Sequence, residues 1–109
     1  MEIKNTTDVF ERYLPDRVDG DKELAESIGA SFQFHITGDD GGDWVLDFTG
    51  DVGAVTPGTL ETPDCTIHLA SEDVPALFNN PASGLKLMVT GRLKVEGKPT
   101  VAAHLLKVL

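Results

Sequence analysis

Apolar residues recur along this chain with two different periods, and the switch between them outlines the fold. Near the start, Val9 with Tyr13 and Phe10 with Leu14 repeat at i and i+4, which gives a short helix one apolar face. Thr7 or Asp8 is placed to cap it, Glu11 stands three residues after Asp8 as a capping box requires, and Pro15 is expected to end it. Asp19-Gly20-Asp21 opens a second helix in which Leu24 and Ile28 share a face and Gly29 supplies the stop.

From residue 30 the period becomes two. Phe32, Phe34 and Ile36 point one way, with Gln33 and His35 pointing the other, and Trp44, Leu46 and Phe48 alternate in the same manner. The Gly38–Asp43 stretch between them is rich in Gly and Asp, so the two runs predict a β-hairpin. A shorter strand around Val52–Val55 extends it, and Cys65-Thr66-Ile67-His68-Leu69 predicts a fourth strand with Cys65, Ile67 and Leu69 on one side. Ser71 is a natural cap for a helix carrying Val74, Leu77 and Phe78, with Glu72 and Asp73 in its first turn and Asn79-Asn80-Pro81 closing it. Residues 82–90 read as one more helical turn running into a strand, and Arg92–Glu96 alternates between Gly91 and Gly97. Pro99 then opens a terminal helix with Val101, Leu105 and Val108 at i, i+4 and i+7, widened by Leu106 and Leu109. The pattern is that of an α+β domain with helices on one face of a sheet.

Composition narrows the classes. Leu, Ile, Val and Phe make up 31 of 109 residues, enough for one core, and residues 1–109 are expected to form a single domain. No apolar run approaches the roughly 18 to 20 residues that cross a bilayer, so no stable membrane insertion is expected. The opening Met-Glu-Ile-Lys-Asn has neither the basic nor the apolar part of a secretory leader, and one cysteine, Cys65, fits a reducing compartment. The net charge of -9 is the wrong sign for phosphates and makes nucleic acid and strongly anionic membranes poor partners. The charge is uneven: residues 1–64 hold 15 acidic and 4 basic side chains, residues 65–109 hold 3 and 5. A solvated acidic face accounts for this, and so does a mild basic rim of Lys86, Arg92, Lys94 and Lys98 that meets an anionic headgroup.

No constellation predicts catalysis or a metal site. His35, His68 and His104 fall on three elements, and the two strand histidines point away from the core side. Cys65 and His68, three apart on a strand, fall on opposite faces, so Cys65 reads as a small buried hydrophobe rather than a nucleophile. Asp39, Asp40 and Asp43 lack the calcium-loop register and suit a hairpin turn. The apolar sheet face leaves two alternatives open, an ordinary packed core or a ligand cavity beneath a terminal helix whose Ala102 and Ala103 cover space without filling it.

Five stretches in order, Val9–Leu14, Phe32–Gly38, Gly41-Gly42-Asp43-Trp44, Asp64-Cys65-Thr66-Ile67 and Gly91–Gly97, resemble the sterol carrier protein type-two domain over nearly the whole chain. That resemblance implies a five-stranded mixed sheet in the order 3-2-1-4-5, covered on one face by helices, with an apolar tunnel between. The tunnel takes fatty acids, fatty acyl-CoA esters, phospholipid chains or sterols, with no cofactor and no chemistry, so the chain is expected not to be an enzyme. Its lipid-binding wall is expected at Phe32, Phe34, Ile36, Trp44, Leu46, Phe48, Ile67, Leu69, Leu77, Phe78, Met88, Leu93, Val101 and Leu105, with the terminal helix 99–109 as a lid. Met88 stands where family members tend to carry Phe, and it either reshapes the tunnel or plugs it. Peroxisomal members end in a Ser-Lys-Leu type signal; the ending Lys107-Val108-Leu109 points instead to a cytoplasmic setting. The alternative function is a homodimerising or partner-binding module of the same fold with a collapsed cavity.

Overall fold

The computed structural model of the chain describes residues 3–105. The first helix is held by a cap at Asn5, upstream of the expected Thr7 or Asp8. Asn5 Oδ1 accepts the Asp8 N–H at 2.8 Å and Asp8 Oδ2 accepts the Lys4 N–H at 3.0 Å, whereas Thr7 is already helical and makes no side-chain cap. Residues Asp8–Tyr13 wind as a π-helix that runs into α1 (Leu14–Val18). Pro15 therefore does not end the helix. The Leu14 N–H reaches back to the Val9 carbonyl, and this wider turn makes Pro15 a first-turn residue of the next segment, where a missing N–H costs little.

Helix α2 (Lys22–Ile28) is capped by Asp21, whose side chain accepts the Leu24 N–H, and it stops at Gly29 in the left-handed conformation, φ 57°. The hairpin of β1 (Ser31–Thr37) and β2 (Gly42–Asp47) forms as the alternation predicts, Phe34 opposite Trp44 and Phe32 opposite Leu46. Strand β3 (Ala54–Pro57) starts two residues later than expected and pairs only with β2, so Pro57, which has no donor, sits on an edge. Strand β4 (Cys65–Ala70) runs parallel to β1 and antiparallel to β5 (Leu93–Gly97), and the sheet order is β3-β2-β1-β4-β5.

Ser71 does not cap a helix directly. Ser71–Asp73 form a 3-10 turn that leads into α3 (Val74–Asn79). The ambiguous stretch 82–90 is helical, α4 (Ser83–Val89), and α5 (Pro99–His104) opens on Pro99. Leu106, Val108 and Leu109 lie outside the described residues.

Two tethers set the parallel register of β1 and β4. Asp64 Oδ2 accepts the Ser31 N–H at 2.8 Å, and the Asp64 N–H donates to the Ser31 carbonyl at 3.0 Å. The outer sheet face is not uniformly wet as alternation suggests. Gln33 is 2 % exposed because the loop after β3 folds over it: its Nε2 donates to the carbonyls of Gly58 and Trp44, and its Oε1 accepts the Leu60 N–H. The turn acids serve local bonds, with Asp40 accepting the Thr6 N–H and Asp43 lying 2.6 Å from His35.

Candidate functional site

The inner sheet face is filled unevenly, and that decides where a cavity lies. Over β1 and β2 the π-helical stretch presents Val9 and Phe10, both buried. Phe10 stacks on Trp44 at 5.1 Å and meets Phe34 edge-on at 5.1 Å, while Phe32 meets Phe48 and Tyr13 meets Phe78 edge-on. Leu14 and Val18 complete this block. Over β4 and β5 the cover consists of α4 and α5, each one or two turns long, and α5 offers Ala102 and Ala103 in place of large side chains.

Beneath those two helices lies a cavity of about 750 Å³. Its lining comes from β4 and β5 (Ile67, Leu93, Val95, Gly97), from α3, α4 and the turn between them (Leu77, Pro81, Ala82, Gly84, Leu85, Met88), and from α5 and its end (Pro99, Ala102, Ala103, Leu105). Among the described residues no charged side chain lines it. The volume lies within the range of small-molecule sites, about 300 to 1,000 Å³. Glycine matters at two lining positions. A Cβ on Gly84 would stand 3.2 Å from Leu77 Cδ1, and Gly97, at φ 116°, could not carry one without meeting the Asp64 carbonyl oxygen.

Of the positions expected to line a lipid site, Ile67, Leu77, Met88, Leu93 and Leu105 are brought together around this cavity. Phe32, Phe34, Ile36, Trp44, Leu46, Phe48, Leu69, Phe78 and Val101 pack into or against the core instead. Met88 does not plug the space; it is 49 % exposed at its mouth, beside Leu85 at 72 %. Pro81, Ala82, Gly84, Leu85, Val95 and Gly97 also line the cavity although the pattern did not single them out, and Pro99, Ala102 and Ala103 belong to the terminal helix expected to cover it. Small residues and Pro carry little hydrophobic signal, although Ala102 and Ala103 had marked a thinly filled helix face.

The other candidate chemistry falls into place around this frame. Cys65 is 1 % exposed and its thiol donates weakly to the Lys98 carbonyl at 3.6 Å. Burial first, and then neighbouring Asp64, push its pKa up from the ordinary thiol value, against the smaller opposing effect of a backbone hydrogen bond with Lys98. His35 and His68 stack on the outer sheet face at 5.2 Å, away from the cavity, with His68 Nε2 3.4 Å from Glu96 Oε2. Arg92 is not a free rim cation: it grips buried Asp73, with Nη2 2.7 Å from Oδ1 and Nε 3.1 Å from Oδ2, and it also reaches Glu72. Among the described residues no group of three or more His, Cys, Asp or Glu could hold a metal ion, and no helix is long and apolar enough to cross a membrane.

A mixed five-stranded sheet with helices over one face and an apolar hollow at one end defines an α+β class of hydrophobic-ligand domain. Residues 10–109 match the model of the SCP-2 sterol transfer family, and the chain belongs to that family of lipid-binding and lipid-transfer domains. Sterol carrier protein 2 of Rattus norvegicus is 31 % identical over 87 residues, 77 % of this chain. The chain spans only 16 % of that relative's length. Among solved structures, the sterol carrier protein domain 2 of Helicoverpa armigera superposes with a TM-score of 0.77 at 22 % identity, covering 95 % of this chain and 88 % of that one. Palmitated SCP2L2 from Aedes aegypti superposes with a TM-score of 0.66 at 20 % identity, covering 96 % and 94 %.

Proposed function

We propose that this protein binds a single-chain lipid, a fatty acid or fatty acyl-CoA ester, in the cavity beneath α4 and α5 and transfers it without chemical change, in the cytoplasm. The observation that carries this reading is the hollow of about 750 Å³, whose lining among the described residues holds no charged side chain. Sterols and phospholipid chains are further ligands of the same kind. The structural relative from Aedes aegypti is described as palmitated, which favours an acyl chain as occupant.

The driving force follows from the wall. Each methylene moved out of water contributes about 0.8 kcal/mol, so a long acyl chain needs no specific polar contact to bind. An apolar wall distinguishes chains that differ by one methylene by only about 1–3 kcal/mol, so broad chain-length tolerance is expected. Helix α5 acts as the lid, because Pro99, Ala102, Ala103 and Leu105 form one side of the hollow and α5 packs chiefly on edge strand β5.

The test is uptake of a fluorescent fatty acid by the whole chain, followed by displacement with unlabelled oleate or an acyl-CoA. Saturable, displaceable uptake is expected. A folded protein that takes up no fatty acid would sink the reading and leave the homodimerising or partner-binding module in its place.

A further inference from the structure

At the mouth of the cavity the chain leaves an apolar stripe uncovered. Leu85, Met88 and Val89 stand at i, i+3 and i+4 on α4 and are 72 %, 49 % and 79 % exposed. Leu85 and Met88 also line the cavity, so the stripe carries its wall out onto the surface.

The charge around this stripe has one sign. The chain holds 18 acidic residues, yet none falls in 74–95 or 97–105, the stretches that contain α3, α4 and α5. The acids that flank these stretches are engaged: Glu72 and Asp73 hold Arg92, and Glu96 faces His68. Lys86 follows Leu85 on α4, and Lys98 sits between the cavity residues Gly97 and Pro99. Both lysines are exposed, and neither pairs with an acid among the described residues.

We propose that this face docks the protein on a phospholipid bilayer that contains anionic lipid. Leu85, Met88 and Val89 enter the boundary between headgroups and acyl chains, Lys86 and Lys98 meet phosphates, and the cavity opens toward the membrane. The proposal rests on reading the cavity as a lipid site, since a mouth facing the bilayer lets a chain pass with little exposure to water.

The net charge of -9 argues against an anionic surface for the chain as a whole, but distance separates the two signs. The acid-rich first 64 residues supply β1 to β3, and β3 is the sheet edge opposite β5. Four strand spacings put that edge about 19 Å from β5. Asp64 and Glu96 are the acids beside Lys98, and both are engaged, Asp64 by the Ser31 N–H and Glu96 by His68. Screening at physiological salt acts over about 8 Å, so the carboxylates toward the β3 edge weigh little at the stripe. A second copy of the chain fits this face poorly, because a two-fold contact centred on the stripe would gather Lys86 and Lys98 of both copies into one interface with no acid from α3, α4 or α5 to offset them.

Co-sedimentation with phosphatidylcholine vesicles, with and without phosphatidylglycerol, tests the docking, and fatty-acid uptake without vesicles tests the cavity separately. The wild-type chain is expected to pellet with the anionic vesicles. Val89→Asp should abolish pelleting and Lys86→Gln should weaken it about fivefold, while both keep their uptake because neither residue lines the cavity. A wild-type chain that stays in the supernatant, or a Val89→Asp variant that pellets like wild type, overturns the docking. So does a dimer in analytical ultracentrifugation that Val89→Asp dissolves, which would make the stripe an interface between copies. Equal binding to both vesicle types overturns the role of the lysines. Pelleting without any fatty-acid uptake upholds the docking and overturns the cavity reading instead.

Discussion

Single side chains in this protein show how a face assigned by alternation can differ from its true surroundings. Gln33 points away from the aromatic core, as a polar residue between two phenylalanines should, yet it is buried because the 58–60 loop closes over it. Replacing it with Leu strands the Leu60 N–H and the Gly58 carbonyl, and each stranded group costs about 1–3 kcal/mol. Gln33→Leu is therefore expected to lower the unfolding free energy by about 2 kcal/mol or more in urea titration. Cys65 behaves as the small buried hydrophobe its position suggested. Its raised pKa has a sign that can be checked: the native thiol keeps its proton to higher pH than the unfolded one. The contribution to stability is whole below the ordinary thiol range, about 8.5, and drains as pH rises through and beyond it. Urea unfolding against pH should show an alkaline loss that Cys65→Ala lacks. Identical alkaline slopes for the two proteins would contradict this.

At the scale of elements, the helix and strand periods place most segments correctly, and the errors gather at their ends. Caps depend on which side chain reaches which N–H, and several nearby residues were chemically suitable. Asn5, not Thr7, supplies the first cap, so Asn5→Ala should cost about 1 kcal/mol in thermal or urea unfolding and Thr7→Ala should not. Pro15 was expected to break the helix, and a change to π winding turned it into a first-turn residue, a register shift that no single-residue preference encodes. The Asp64–Ile67 and Gly91–Gly97 stretches of the resemblance also find a physical reason here. Asp64 tethers the start of β4 to β1, and Gly97 lies where any side chain would strike the Asp64 carbonyl. Arg92 completes the set by holding Asp73 at the entry to α3. These residues build the frame of the cavity rather than its wall.

For the whole molecule, the decisive quantity is the volume that the helices fail to fill. The aromatic block of Phe10, Phe34 and Trp44 closes one end of the sheet, and the alanines of α5 leave the other end open. Ala102→Trp places an indole into that hollow and is expected to reduce fatty-acid uptake at least about tenfold, on the order of 1.4 kcal/mol, with the fold intact by circular dichroism. Uptake that survives this substitution unchanged would mean that the chain binds elsewhere.

Alternation and helical spacing, read from the sequence alone, were enough for the strands, the α+β class and the inward side of the sheet, because those depend on periods of two and 3.6 carried by neighbouring residues. The resemblance supplied the strand order and favoured a hollow over a packed core, a choice the pattern had left open. Which inward residues pack and which surround empty space was settled only by tertiary structure. Phe34 and Ile67 have the same pattern and pair across β1 and β4, and what separates them is whether Phe10 or Ala102 stands opposite, a matter of helices distant in sequence meeting across one sheet.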